Sequence, residues 1–142
     1  MKTSKELLDS VIKTTQMGQI GIRSVINTSN DQEMTNALRS QLSEYDKIEK
    51  EALAIANHRG WELQNLDPGI KMMTNMMTRM RLSYGDTTSK AAAMMVNGNT
   101  RGLIKSLKNL HHFGGTDSRV TTLTQKLIHC EEENIRQMQR FI

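Results

Sequence analysis

The stretch SNDQEMTNALRSQLSEYDKIEKEALAIANHRG, residues 29–60, decides the fold. Within it Met34, Leu38, Gln41, Tyr45, Ile48, Ala52, Ile55 and Arg59 follow one another at alternating steps of four and three. That spacing lines one face of a helix, because side chains three and four apart lie above one another at 3.6 residues per turn. At 1.5 Å per residue the stretch predicts a rod of roughly 40 Å. Ser29-x-x-Gln32 and Asn30-x-x-Glu33 both have the form of a capping box, in which side chains satisfy the orphaned amides of a first turn. Gly60 is the expected point for the rod to end or bend, with Trp61, Leu63 and Leu66 covering that end of a bundle.

Working outward, the same period recurs on either side. Between Lys5 and Asn27, the residues Leu8, Val11, Ile12, Thr15, Ile22, Val25 and Ile26 predict a preceding helix. Gly18 and Gly21 inside it each cost roughly 1 kcal/mol relative to alanine, so we expect a neighbouring helix to cross closely there. Asp67-Pro68 is a helix start, since Asp caps the first turn and Pro occupies a position whose N–H has no partner anyway. Ile70, Met73, Met77, Met80 and Tyr84 then run at heptad spacing to Gly85. A further segment begins at Asp86 or Thr87 and carries Ala92, Met95, Leu103, Leu107 and Leu110 across Gly98 and Gly102. Gly114-Gly115 suits the left-handed end of that helix, and Thr116 or Asp117 starts the last one, striped by Val120, Leu123, Leu127, Cys130, Ile135 and Met138. The expectation is one all-α domain over residues 1–142, an antiparallel four-helix bundle in which one rod is built either from the segment after Asp67-Pro68 plus the segment after Asp86 or from the latter alone.

Composition supports this. The 142 residues are 37% apolar but only 4% aromatic, with a single proline, a balance that suits amphipathic helices better than strands. Nineteen Lys and Arg are interleaved with fifteen Asp and Glu, for a net charge of +4. No dense basic block gives the footprint of a nucleic-acid binder. No window offers the roughly 20 apolar residues of a membrane span. The N-terminal residues lead into an amphipathic stretch and not into a signal-peptide core. Cys130 is the only cysteine, which excludes an intramolecular disulfide and fits a reducing compartment. A cytoplasmic location is the expectation.

A bundle of this size invites a di-iron reading, which requires Glu-x-x-His pairs that aim two ligands inward. The residues three before His58, His111, His112 and His129 are Ile55, Lys108, Asn109 and Lys126. The pattern therefore fails at every histidine, and Met73 through Met80 contains no acid. No cofactor and no metal are expected. Met72, Met73, Met76, Met77 and Met80 crowd one sector of a helix. Thioethers can hold Cu(I), but methionine is more commonly an adaptable core filler or an adaptable contact surface. Met72 and Met76 are the candidate partner-contact residues. Glu131, in the run Glu131-Glu132-Glu133, falls by period near the seam between Leu127 and Met138; with Gln41 and Asn99 it makes the set of candidate inward polar residues. His129 with Glu132 and His58 with Glu62 are two-ligand fragments, too few for a metal site. Cys130 sits on an apolar stripe and reads as a small buried hydrophobe. Gly114-Gly115 lacks the Lys-Ser/Thr of a phosphate loop. No enzyme is expected.

The stretch Ala93-Met94-Met95-Val96-Asn97-Gly98-Asn99-Thr100-Arg101-Gly102-Leu103-Ile104, continued by Lys105-Ser106-Leu107-Lys108, resembles a signature of small bacterial proteins akin to spore coat protein F. Glu131-Glu132-Glu133-Asn134-Ile135-Arg136-Gln137-Met138 and Met17-Gly18-Gln19-Ile20-Gly21-Ile22 fit the same pattern. The resemblance implies a ferritin-like bundle, most of whose members have no assigned activity, in a spore-forming bacterium or a relative, and opens a spore-coat location. It carries over no metal or catalytic residue. The functional expectation is a non-catalytic structural or protein-interaction module with a protein partner or self-association; the alternative is a ferritin-like protein that binds a metal or small ligand at a degenerate site.

Overall fold

A computed structural model describes residues 2–63 and 87–142. The helix expected from Asp67-Pro68, its methionine row and the contact surface at Met72 and Met76 lie outside the described residues. Among those residues the chain forms four helices and no strand: α1 (Ser4–Val25), α2 (Gln32–Arg59), α3 (Thr87–His111) and α4 (Ser118–Gln139). They pack as an all-α four-helix bundle. α1 lies between α2 and α3, and α4 closes the ring by packing on α2 and α3.

Contacts along the rods fix their directions. Gln19 of α1 bonds Glu49 of α2, Asn109 of α3 bonds Ser10 of α1, and Gln41 of α2 bonds Gln137 of α4. At one end, Arg59 meets Asp117 and the backbone of Lys2 pairs with His112 and Gly114. At the other, Ser29 meets Thr88 and Glu33 meets Arg140. Each helix is thus antiparallel to both its neighbours in the ring, while α2 and α3, on the diagonal, run parallel. The C-terminus of α2 and the N-terminus of α3 therefore stand at opposite ends of the bundle. A 25-residue helix such as α3 is about 37 Å long, which sets the scale of the separation of those two ends.

The helix boundaries have local causes. Thr3 caps α1 by accepting from the amide of Glu6. α2 is capped by Asp31, whose carboxylate accepts from the Met34 amide at 3.0 Å. Neither expected capping box forms, because Ser29 accepts from the Asp31 amide and Gln32 turns forward to Asn36. Gly60 ends α2 in the left-handed conformation, at φ 70°. Trp61 and Leu63 pack on the core beside it. Gly60 is the one glycine at positive φ among the described residues, so Gly114-Gly115 does not supply the left-handed end expected for α3. Gly115 answers a different constraint: a Cβ there would lie 2.6 Å from both the Phe113 ring and the Ser4 hydroxyl.

The core is the inner faces of all four rods. The α2 stripe from Met34 to Ile55 is buried throughout, and Leu8, Val11, Ile12, Thr15, Ile22 and Val25 are buried in α1. In α4, Val120, Leu123, Leu127 and Met138 are buried, while Cys130 and Ile135 are only partly covered. α3 departs from expectation. Its buried face is Ala91, Ala92, Met95, Asn99, Ser106 and Asn109, and Leu107 is 49% exposed with Ile104 beside it. The lower half of α3 therefore turns polar and small residues inward.

Gly18 is also explained differently from expectation. A Cβ at Gly18 would lie 2.5 Å from the Tyr45 ring, whereas Gly21 faces only the Met95 thioether at 3.9 Å. What needs the space is an aromatic side chain from α2 and not a crossing backbone. Gly18→Ala is therefore expected to lower stability in urea unfolding, because the buried ring cannot move aside. Gly98→Ala, where a Cβ meets nothing within 4 Å, is expected to raise it by roughly 0.5–1 kcal/mol. Equal effects at the two positions would contradict this assignment. Asp117 caps α4 and also pairs with the Arg59 guanidinium through both carboxylate oxygens, at 2.7 and 3.0 Å. Asp117→Ala should cost about 1–2 kcal/mol in the same measurement, more than Asp117→Asn, which retains a cap.

Candidate functional site

At mid-height the apolar core is interrupted by Tyr45 from α2, Asn99 from α3, and Glu131 and Asn134 from α4, exposed by 1%, 2%, 1% and 3% respectively. Two glycines make room for them. Gly18 seats the Tyr45 ring, and a Cβ at Gly102 would stand 3.2 Å from the Glu131 carboxyl. The Tyr45 hydroxyl lies 2.7 Å from Asn99 Oδ1 and 2.8 Å from Glu131 Oε1. Asn99 Nδ2 donates to the Met95 carbonyl at 2.7 Å, which turns Oδ1 toward the tyrosine. Asn134 Nδ2 adds a longer bond to the same Oδ1 at 3.4 Å.

The protons in this cluster can be counted. A phenol has one hydrogen, and it cannot serve two acceptors. Asn99 Oδ1 can only accept, so the Tyr45 hydrogen goes there. The 2.8 Å contact with Glu131 Oε1 then requires that the hydrogen come from the carboxyl. Glu131 is accordingly a neutral acid that donates to Tyr45, which in turn donates to Asn99. Burial drives in the same direction. Removing the carboxylate from water raises its pKa from 4.5 to about 8. Tyr45 is itself held well above its ordinary value by burial and by Glu131. Cys130 is pushed up to about 12, again by burial first and then by Glu131 and Glu44. A thiol so far from ionisation is a poor nucleophile.

One polar atom of this cluster is left over: Glu131 Oε2 is buried and has no hydrogen-bond partner among the described residues. Glu131 forms part of the wall of a cavity of about 370 Å³ between α1 and α3. Gly102 sets no side chain between the carboxyl and that cavity, and Gly18, Gly21 and Gly98 also line it. Met17, Met94 and Met95 supply apolar wall, and Lys13, Arg101 and Lys105 are its cations. Lys105 is held below its ordinary range by partial desolvation, then by Lys13 and Lys2.

The residues singled out from sequence fall in two places. Asn99 and Glu131 converge on Tyr45. Gln41, 1% exposed, stands apart: its Nε2 donates to Gln137 at 2.8 Å and its Oε1 has no partner, beside a wider polar groove between α2 and α4. Tyr45 and Asn134 were not among the expected site residues. The signal for Asn134 was available, since it lies three residues after Glu131 on the same inward face. Among the described residues no three His, Cys, Asp or Glu side chains gather to hold a metal ion. His58, His111, His112 and His129 are all exposed. No described helix is long and apolar enough to cross a membrane.

Comparison with known proteins finds no matching protein family, no matching curated protein and no matching solved structure.

The neutral carboxyl fixes a pH dependence. A folded-state pKa above the unfolded 4.5 means that the native state holds a proton which the unfolded chain releases. Stability is then full below about pH 4.5 and falls as pH rises toward about 8, with a loss on the order of a few kcal/mol. Glu131→Gln is expected to flatten this dependence in urea melts and to exceed the parent protein in stability above pH 8, because the amide donates to Tyr45 at every pH. Parallel profiles for the two proteins would contradict a neutral Glu131. Tyr45→Phe should cost about 1–3 kcal/mol, since it strands the buried Glu131 and Asn99 together.

Proposed function

We propose that this protein is a non-catalytic, ferritin-like bundle that binds a small molecule in the cavity between α1 and α3. The observation that carries the reading is Glu131 Oε2, a buried acceptor without a partner in the wall of a cavity lined by glycines. Leaving such an atom unpaired costs about 1–3 kcal/mol, and a donor on a bound molecule recovers it. A cavity of about 370 Å³ lies within the usual size range of small-molecule sites, about 300–1,000 Å³. The topology supports the ferritin-like assignment, because bundles of that class have one long crossover between their two helical hairpins. Here the hairpins are α1–α2 and α3–α4, and the end of α2 and the start of α3 stand at opposite ends of the bundle. In this reading the hydrogen-bonded acid, phenol and amide occupy the central position that ferritin-like oxidases give to metal ligands.

Gly98 gives a direct test, since a side chain there enters open space in the cavity wall. A ligand-observed NMR screen of neutral and charged fragments should give hits with the native chain. Those hits should disappear with Gly98→Leu, while the circular dichroism spectrum and melting temperature are retained. Fragments that bind both proteins equally would overturn the cavity as the site.

A second reading, as a structural or self-associating module of the cytoplasm or the spore coat, is favoured by a separate feature. Ile104 and Leu107 form an apolar step on the outer face of α3, and Ile142 ends the chain 61% exposed. This reading predicts an assembly in sedimentation at micromolar concentration that Leu107→Glu dissociates; a monomer under those conditions would refute it.

A further inference from the structure

The chemistry of the cavity wall specifies the class of molecule, given the small-molecule reading above on which this inference rests. We propose that the cavity takes a small organic anion whose far end carries a hydroxyl or N–H donor. Its anionic group faces Arg101 and Lys105, and its donor reaches Glu131 Oε2 across a body in contact with Met17 and Met94.

Two observations place the anion. The first is the charge inventory of the wall among the described residues: Lys13, Arg101 and Lys105 contribute cations, and the single acidic side chain is Glu131, which the hydrogen-bond count makes neutral. The described wall therefore presents positive charge without an ionised acid. The second is that Arg101 and Lys105 have no carboxylate within ion-pair distance among the described residues, while other cations of the bundle, such as Lys5, Lys50 and Arg59, do. Lys105 is instead set against Lys13 and Lys2, whose repulsion adds to partial desolvation, the larger cause, in lowering its proton affinity. An anion between them converts repulsion into attraction. The neutral carboxyl has already donated its hydrogen to Tyr45. What it offers the cavity is a carbonyl oxygen, which accepts. A ligand that ended in a second acceptor would leave both atoms unpaired and buried, so the site selects for a donor.

The same arrangement disfavours cations. An ammonium group would share the wall with Lys13, Arg101 and Lys105 and meet a carboxyl that carries no charge.

The test is calorimetric titration of the full chain at pH 7 with three matched series from butyric to decanoic length: ω-hydroxyalkanoates, unsubstituted alkanoates and α,ω-diols. At the chain length that spans the cavity, the hydroxy acid is expected to bind at least about tenfold more tightly than either comparator. The double variant R101Q/K105Q changes only exposed side chains. It should lose about tenfold for the hydroxy acid and leave the diol unchanged. If diol and hydroxy acid bind alike and the double variant alters neither, the anionic class is overturned while the cavity stands as a site. If alkanoate and hydroxy acid bind alike, the donor end is overturned. If no series binds, the proposal fails, and the fragment screen on Gly98→Leu decides separately whether the cavity binds anything.

Discussion

The single hydrogen of the Tyr45 hydroxyl is the constraint from which the interior of this bundle follows. Placed between two oxygens at 2.7 and 2.8 Å, it obliges one neighbour to bring a proton, and only the carboxyl of Glu131 can. The resulting chain runs from α4 through α2 to α3, and so ties three helices together at mid-height through directional bonds. Apolar packing alone specifies the register of helices loosely. A buried polar chain that is satisfied in one register and stranded in any other specifies it sharply.

Two glycines belong to the same device. Tyr45 and Glu131 reach the centre only because Gly18 on α1 and Gly102 on α3 carry no side chain in their path. Glycine weakens a helix, and four of them at Gly18, Gly21, Gly98 and Gly102 stand along the α1–α3 seam. Two are required by the polar chain. The other two leave space, and that space is the cavity. Its buried, partnerless oxygen is then a consequence of how the centre was built, since the atom that lacks a partner belongs to the cluster that orders the core.

Much of the fold was legible in the sequence because period and burial coincide in α2: every residue of its stripe from Met34 to Ile55 faces inward. Glu131 and Asn99 could be picked out for the same reason, as polar residues at helical steps from apolar ones. α3 was misread below Asn99. The reading followed the leucines at 103, 107 and 110, whereas the inward row continues as Asn99, Gly102, Ser106 and Asn109. That row has the same steps of three and four as α2, but its residues are small or polar and earned no weight from hydrophobicity. What the sequence alone could not show is which polar groups meet across helices. Asn109 is satisfied by Ser10, and Asn99 by Tyr45, pairs 99 and 54 residues apart in the sequence. Tyr45 was read as one more apolar position, and nothing in its local pattern marks the hydroxyl as the hub. The capping of α2 was misplaced for a smaller reason: three consecutive residues, Ser29, Asn30 and Asp31, can each cap, and Asp31 does.

The central claim is that Glu131 is a neutral acid in the folded protein at physiological pH. Carbon-detected NMR of a sample labelled at glutamate side chains reads this directly, because the Cδ shift of each carboxyl reports its own ionisation. The account predicts one glutamate with a protonated shift at pH 7 that titrates near 8 and is absent from Glu131→Gln. A Glu131 signal already ionised at pH 6 would contradict it.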